Sequence, residues 1–382
     1  MRVLALNPYH GGSHAAFIDG WATHSRHTFT TLTLPAHHWK WRMRHAAATF
    51  AGELNAKPPE TLEALDAVWC TSMLDLAAFY GLAPAAVRGL PAVVYFHENQ
   101  LTYPTRQEDA GGRDQHFAIT HLTSALAAAQ RGGGVWWNSA FHRDGFLAAA
   151  RKLLKKMPGR ELDHAPDTIE SASRVLHPGV DVESLRSRHT GPEVPAPRGA
   201  GQEKKPLHVL WVARWEHDKD PDAFFAALKK LKKRGVPFRL SVVGESFERV
   251  PECFTVAKKR FADEIVHWGY QPTREAYRAV LRGADVVLST ARHEFFGLAV
   301  VEAMAAGCFP VLPKRLAYPE VFGDRAEFFY DGTPDGLAGR LTELAGRGLP
   351  MDRAAVSRGV ERYAWPSAAA ALDEALDEAV GG

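Results

Sequence analysis

The sequence predicts an α/β protein built from two doubly wound parallel sheets. Three observations carry that reading. Short apolar runs rich in Val alternate with amphipathic segments of helical length through both halves. A stretch at 186–206, crowded with Pro, Gly and charge and without period, separates the halves as a linker. The length, 382 residues, exceeds what one core fills and suits two domains.

The elements follow in order. Val3–Leu6 is a strand that runs into a Gly-Gly turn, with a helix from Ser13. Thr28–Leu34, Ala67–Cys70 and Pro91–Phe96 are strands, the last ending at His97-Glu98-Asn99-Gln100. Gln115–Gln130 is a long helix and Gly134–Trp137 a strand, after which Asn138-Ser139 supplies a helix cap. Val175–Asp181 closes the half. Beyond the linker, Leu207–Val212, Phe238–Val243, Ile265–Trp268 and Ala284–Ser289 are strands, with a helix at Pro221–Arg234. Leu298–Ala306 is a helix, and Gly307 stands where a left-handed C-terminal residue is expected. The Ala-rich tail from Met351 to Val380 is helical. The expected organisation is 1–185, a linker 186–206, 207–345, and a helical segment 346–382. Ligands on such sheets sit beyond the carboxyl ends of the strands, so a site between the halves is expected.

Composition narrows the class. No run approaches the ~20 apolar residues of a membrane span, and the first strand is too short and too soon polar for a secretory signal. Cys70, Cys253 and Cys308 have no paired spacing, which argues against disulfides and zinc knuckles. No His-Glu-x-x-His stands among the 18 histidines, and no Asp-x-Asp in a metal-binding loop, so no metal is expected. The expected setting is cytoplasmic, without stable membrane association; no protein partner is indicated. A net charge of +2 neither requires nor excludes nucleic acid.

The chemistry concentrates in Glu294-Phe-Phe-Gly-Leu-Ala-Val-Val-Glu302-Ala-Met-Ala-Ala-Gly307. Gly297 precedes the helix, so the first amides have no side chain in front of them, and such an end favours an anion. Glu302 falls roughly 7–8 Å down the axis at 1.5 Å per residue. A diphosphate at the helix end would have a carboxylate on each side, placed to accept from sugar hydroxyls. Two glutamates at this spacing also arise by chance; Phe296-Gly297-Leu298 and the Gly307 stop fix the turn, helix and end around them. Arg214 and Lys219 follow a strand and are cations suited to a leaving diphosphate. Gly11-Gly12-Ser13-His14 follows the first strand, His97 another, and Gly269-Tyr270 a third.

Leu34-Pro-Ala-His-His-Trp-Lys-Trp-Arg-Met-Arg-His45 interleaves aromatics with cations. If extended, Trp39, Trp41 and Met43 share one face and Lys40, Arg42 and Arg44 the other. That arrangement suits RNA, whose bases stack on rings while cations hold phosphates. It equally suits an amphipathic strand with its tryptophans in the core.

The Glu294–Glu302 block resembles the retaining glycosyltransferases of the GT-B fold, family 4, two Rossmann-like domains facing a central cleft. The resemblance implies that Glu294 holds the donor sugar, Glu302 the ribose, Arg214 and Lys219 the phosphates. It implies likewise that His97 touches the sugar, that Gly269 and Tyr270 cradle the base, and that the tail crosses back onto the first domain. No protein nucleophile is implied. Tyr9-His-Gly-Gly-Ser-His14, Trp39-Lys-Trp-Arg42, Tyr95-Phe-His-Glu-Asn-Gln-Leu101 with Tyr103-Pro104, and Pro313-Lys-Arg-Leu-Ala-Tyr-Pro-Glu320 join that block. Together they resemble the tRNA-queuosine alpha-mannosyltransferase family over nearly the whole chain. The likeness implies mannose transfer from GDP-mannose to the cyclopentenediol of queuosine, at the wobble position of tRNA(Asp), without cofactor or metal. Gly11, Gly12, Phe296, Gly297 and Leu298 would then face the donor. His14, Trp39 to Arg44, Glu98, Asn99 and Gln100 would face the tRNA acceptor. Rival readings are a family 4 enzyme with another nucleotide sugar and a lipid or small-molecule acceptor, a nucleotide-sugar epimerase, and non-catalytic RNA binding. For a lipid acceptor, Phe146–Met157 is the candidate membrane-facing helix.

Overall fold

The computed structural model describes residues 1–104, 115–186, 205–246 and 250–381. Most of the expected linker, 187–204, therefore lies outside the described residues. The chain forms two compact units, Met1–Gly179 with Trp365–Gly382, and Val180–Ala364. The divisions fall at 179/180 and 364/365, where the sequence placed them at 185 and 346.

In the first unit, β1 (Arg2–His10), β2 (Thr28–Pro35), β3 (Ala67–Thr71), β4 (Ala92–Phe96), β5 (Gly134–Trp137) and β6 (Ser173–Val175) make one sheet. Its order is β2-β1-β3-β4-β5-β6, with every pairing parallel. Alternation sorts the side chains into two cores. Leu4, Leu6, Val68, Cys70, Val94 and Phe96 enter one, while Val3, Ala5, Ala67, Trp69, Val93 and Tyr95 enter the other. A sheet covered on both faces needs such unbroken apolar strands.

The second core is completed by the C-terminal helix Trp365–Gly381. Trp365 lies against Gly20 and Gly179, where any side chain would overlap its ring. Buried Asp373 accepts from Trp21 Nε1 at 2.7 Å, Ser25 Oγ at 2.6 Å and the Arg26 amide at 2.9 Å. The tail, expected to be helical from Met351, holds a short helix Arg353–Arg358 that belongs to the second unit before the long helix of the first.

In the second unit, β7 (Leu207–Val212), β8 (Phe238–Val243), β9 (Ile265–Gly269), β10 (Val286–Leu288), β11 (Phe309–Pro313) and β12 (Phe329–Tyr330) are again parallel. The order is β12-β11-β10-β7-β8-β9. Arg353 ties the end of the helix before β10 to the end of the helix after it. Its guanidinium donates to Arg282 O at 2.7 Å, Ala284 O at 2.6 Å and Ala306 O at 2.7 Å.

The expected membrane-facing helix Phe146–Met157 is corrected. The helix runs Ala140–Leu154, and Phe146, Leu147, Ala150 and Leu154 are buried in the first unit's core.

Candidate active site

Counted within the second unit, the strand order is 3-2-1-4-5-6 and reverses between β7 and β10. Chain leaving the carboxyl ends of strands at such a reversal is where ligands bind. Arg214 and Lys219 follow β7, and Glu294 to Leu298 follow β10.

The two loops are laced together. Trp215 stacks on Phe254, centroids 4.2 Å apart, and anchors the first loop. Asp220, left-handed at φ 50°, caps helix Pro221–Lys233 and accepts from Arg292 Nε at 2.7 Å. Thr290 Oγ1 donates to Lys219 O at 2.8 Å, and the Arg292 amide to Asp218 O at 2.8 Å. Lys219 is thereby buried with its Nζ donating to His293 O at 2.8 Å and to Glu294 Oε2 at 3.2 Å. Asp218 Oδ2 lies 3.2 Å from the same ammonium, its carboxylate wholly buried.

Burial works to lower the Lys219 pKa, but Glu294 and Asp218 outweigh it and raise it above the ordinary value. Burial likewise works against ionised Glu294, and Lys219 with the Phe296 amide holds its carboxyl below the usual range. The pair is therefore ionised. Burial, with Lys219 adjacent, pushes His293 down to about 4, so that ring is neutral near pH 7. Arg214, near enough to act on both Lys219 and Glu294, is half exposed, 3.5 Å from Glu216.

Gly297 precedes helix Leu298–Ala305 at φ 95°, and no side chain caps that helix. A Cβ at Gly297 would stand 3.0 Å from the Tyr318 ring as well as in a strained conformation. The amides that have a side chain in front of them belong to the turn before the helix, not to its first turn. Glu294 Oε1 accepts from the amides of Phe295 at 3.2 Å, Phe296 at 3.5 Å and Gly297 at 3.2 Å. The carboxylate, three residues before the Gly297 cap position, reaches forward over the amides of the turn, much as capping side chains do. The turn and Lys219 already hold one anionic group, so donors suited to phosphate oxygens stand assembled. The Phe296 ring is buried against Tyr363, centroids 5.2 Å apart, leaving only its backbone to face a ligand.

Glu302, further along the same helix, accepts from Tyr277 OH at 2.7 Å. Burial raises its pKa, opposed by that hydrogen bond and by Arg274 and Arg278. Tyr277, on helix Arg274–Gly283, escaped the sequence reading: a Tyr among Arg and Glu carries no motif. Asp218 escaped for the same reason. Gly269 ends β9 at φ 97°, and Tyr270 beyond it is 66% exposed.

In the first unit, Gly11 turns the chain after β1 where a Cβ would strike Ala36 at 2.4 Å. Gly12 begins helix Gly12–His24, one residue before the expected start at Ser13, and Gly11 takes the cap position. The His14 and His97 rings meet at 4.2 Å. Burial, then His14 and His142, drive the His97 pKa well below its ordinary value, leaving a neutral imidazole. Its Nε2 is buried without a hydrogen-bond partner among the described residues. Asn138 fixes the loop, donating to His97 O at 2.9 Å. Asn99, expected to face the acceptor, is instead buried: its Oδ1 accepts the Thr102 amide at 2.9 Å and its Nδ2 lies 3.0 Å from Thr102 Oγ1. The Gln100 amide donates to His121 Nδ1 at 3.2 Å, and Glu98 O accepts from Ser72 Oγ at 3.1 Å.

The aromatic–cationic segment is a helix, Trp39–Asn55, not a strand. Met43, Ala46, Ala47, Phe50, Ala51 and Leu54 recur at helical spacing and are buried, and that longer period overrides the local alternation. Trp39 packs on Phe117, centroids 5.2 Å apart, while Trp41 turns outward.

Comparison with known proteins decides the family. A family model described as tRNA-queuosine alpha-mannosyltransferase N-terminal matches residues 2–180, and one described as Glycosyl transferases group 1 matches 196–354. A Drosophila melanogaster protein named tRNA-queuosine alpha-mannosyltransferase is 34% identical over 324 residues, 84% of this chain and 81% of its own. The chain belongs to the tRNA-queuosine alpha-mannosyltransferase family. It is a glycosyltransferase of the GT-B fold.

More distant likeness extends beyond this family. A Mycobacterium tuberculosis protein named GDP-mannose-dependent alpha-(1-6)-phosphatidylinositol dimannoside mannosyltransferase is 28% identical over 209 residues, 54% of this chain and 52% of its own. Among solved structures, Anabaena HepE with UDP superposes with TM-score 0.67 at 15% identity, covering 99% of this chain and 100% of that one. Sucrose-phosphate synthase from Thermosynechococcus elongatus gives 0.68 at 14%, covering 98% of each. Among the described residues of this family member, no helix is long and apolar enough to cross a membrane, and no three His, Cys, Asp or Glu side chains group as metal ligands.

Proposed function

We propose that this protein transfers mannose from GDP-mannose, with retention, to the cyclopentenediol of queuosine at the wobble position of tRNA(Asp). The observation that carries the reading is the 34% identity to the Drosophila queuosine mannosyltransferase, which extends over 84% of the chain. GDP as the donor nucleotide draws support from the M. tuberculosis relative, whose name specifies GDP-mannose.

The residues divide the work. Lys219, Arg214 and the amides at Gly297 stabilise the diphosphate as it leaves, a task suited to preorganised donors in a dry site. Glu294 yields those donors to the phosphate and accepts from a sugar hydroxyl. Glu302, oriented by Tyr277, accepts from the ribose. His97, neutral, exchanges hydrogen bonds with the sugar without adding charge. Gly269 gives the base room beside Tyr270. With two cations and a helix end on the diphosphate, the reaction needs neither metal nor cofactor, and its setting is the cytoplasm.

The test is direct. The protein is incubated with queuosine-containing tRNA and GDP-mannose, and the tRNA is digested to nucleosides for mass spectrometry. A hexose increment on the modified nucleoside is expected. Donor consumption without an increment, or transfer to a lipid acceptor instead, rejects the reading.

A further inference from the structure

Helix Trp39–Asn55 presents a surface that the donor chemistry does not use. Trp41 is 60% exposed, whereas Trp39 is turned onto Phe117 and Met43 is buried. One turn on, the His45 ring lies 5.2 Å from the Trp41 ring. Burial and the adjacent Arg42 lower the His45 pKa, so the ring beside Trp41 favours its uncharged form. Arg42 is held in place, its Nε donating to Pro35 O at 3.1 Å and its guanidinium reaching His45 Nε2 at 3.2 Å and His37 at 3.2 Å. Lys40 and Arg44 flank the ring in sequence, and no acid stands between Ala36 and Gly52. Cations in the first turns oppose the helix dipole, so they do not serve the helix itself.

We infer that this face binds single-stranded RNA: one unpaired nucleobase stacks on Trp41 beside His45, and Arg42 holds the neighbouring phosphate. The inference rests on the tRNA reading above and names where the nucleic acid is gripped. Charge complementarity selects the occupant, since the face is cationic and its one large apolar group is an aromatic ring. A membrane surface would need several apolar side chains side by side, but the neighbouring Trp39 and Met43 are committed inward. An intact duplex hides its base faces, and stacking on protein aromatics requires them splayed out.

The experiment is fluorescence anisotropy with a labelled ten-nucleotide single-stranded RNA and a blunt RNA duplex, at several salt concentrations and without nucleotide sugar. Wild type is compared with Trp41→Ala, Trp41→Phe, Arg42→Ala and Leu162→Ala; Leu162 is an exposed apolar residue elsewhere on the same unit. Trp41→Ala is expected to weaken single-strand binding about 5- to 100-fold. Trp41→Phe should recover most of it, Leu162→Ala should change nothing, and Arg42→Ala should flatten the salt dependence by about 0.7 in log–log slope. Unchanged single-strand affinity in Trp41→Ala, an equal loss on the duplex, or tight binding to anionic vesicles that Trp41→Ala abolishes would overturn the inference. Failure is separable from failure of the proposed function. Hexose transfer with Trp41-independent RNA binding sinks only this inference; Trp41-dependent binding without transfer sinks only the other.

Discussion

Lys219 Nζ lies 3.2 Å from Glu294 Oε2, while the second oxygen of the same carboxylate accepts amides up to that of Gly297. One side chain thus spans both parts of the anion-binding apparatus, the cation and the helix turn. Donor binding then exchanges the Glu294 carboxylate for phosphate oxygens at donors the fold has already assembled. The cost of desolvating Lys219 is met beforehand by groups fixed in the fold.

Glu294→Gln keeps the shape of the side chain and removes its charge. Turnover should fall by about 100-fold or more, the scale of losing a preorganised electrostatic contact, while the circular dichroism spectrum stays native. Hexose incorporation into tRNA measures the first and a thermal scan the second.

The ion pair also sets a pH window. Glu294 titrates below its ordinary 4.5, so its contribution is present above that value and is lost as pH falls through the depressed one. Lys219 titrates above its ordinary 10.5, so its contribution is complete below that and is lost as pH rises further. The difference in melting temperature between wild type and Glu294→Gln should therefore stay level between these limits and shrink beyond them.

Asp218→Asn removes one of the two carboxylates that keep Lys219 charged. The alkaline limb of the pH–rate profile should move to lower pH, and kcat/KM should drop about 10- to 100-fold, the worth of a hydrogen bond to a charged group. An unshifted limb would assign Asp218 to folding alone.

Tyr277→Phe takes the hydroxyl from Glu302. If Glu302 serves the nucleoside, KM for the donor should rise about 3- to 10-fold with kcat nearly unchanged, because the contact is equal in ground and transition states. Steady-state kinetics with varied donor read this directly.

Asp373→Ala leaves Trp21 Nε1, Ser25 Oγ and the Arg26 amide without their buried acceptor. A loss of about 2–4 kcal/mol is expected from urea unfolding, the scale of stranded buried donors.

Much of this was legible in the sequence because parallel sheets demand unbroken apolar strands: β1, β3, β4, β5, β7 and β8 all announced themselves. Phe309–Pro313 did not, since two prolines argue against a strand. Pro310 stands between Phe309, whose amide donates to Asp285 O at 2.9 Å, and Val311, whose carbonyl accepts from the Ser289 amide at 3.2 Å, while β12 pairs with Leu312 and Pro313. The Glu294 turn and Lys219 were readable from position after a strand. Their mutual contact was not, because it depends on two loops distant in sequence being laced together. The Trp39–Arg44 segment misled because its local alternation masks a helical period that emerges only out to Leu54.

Where the diphosphate sits decides the chemistry, and a crystal structure with bound GDP measures that. It should show a β-phosphate oxygen about 3 Å from both Lys219 Nζ and an amide at the Gly297 turn, with the Glu294 carboxylate moved off those amides. A diphosphate bound elsewhere, with Glu294 still closing the turn, would contradict it.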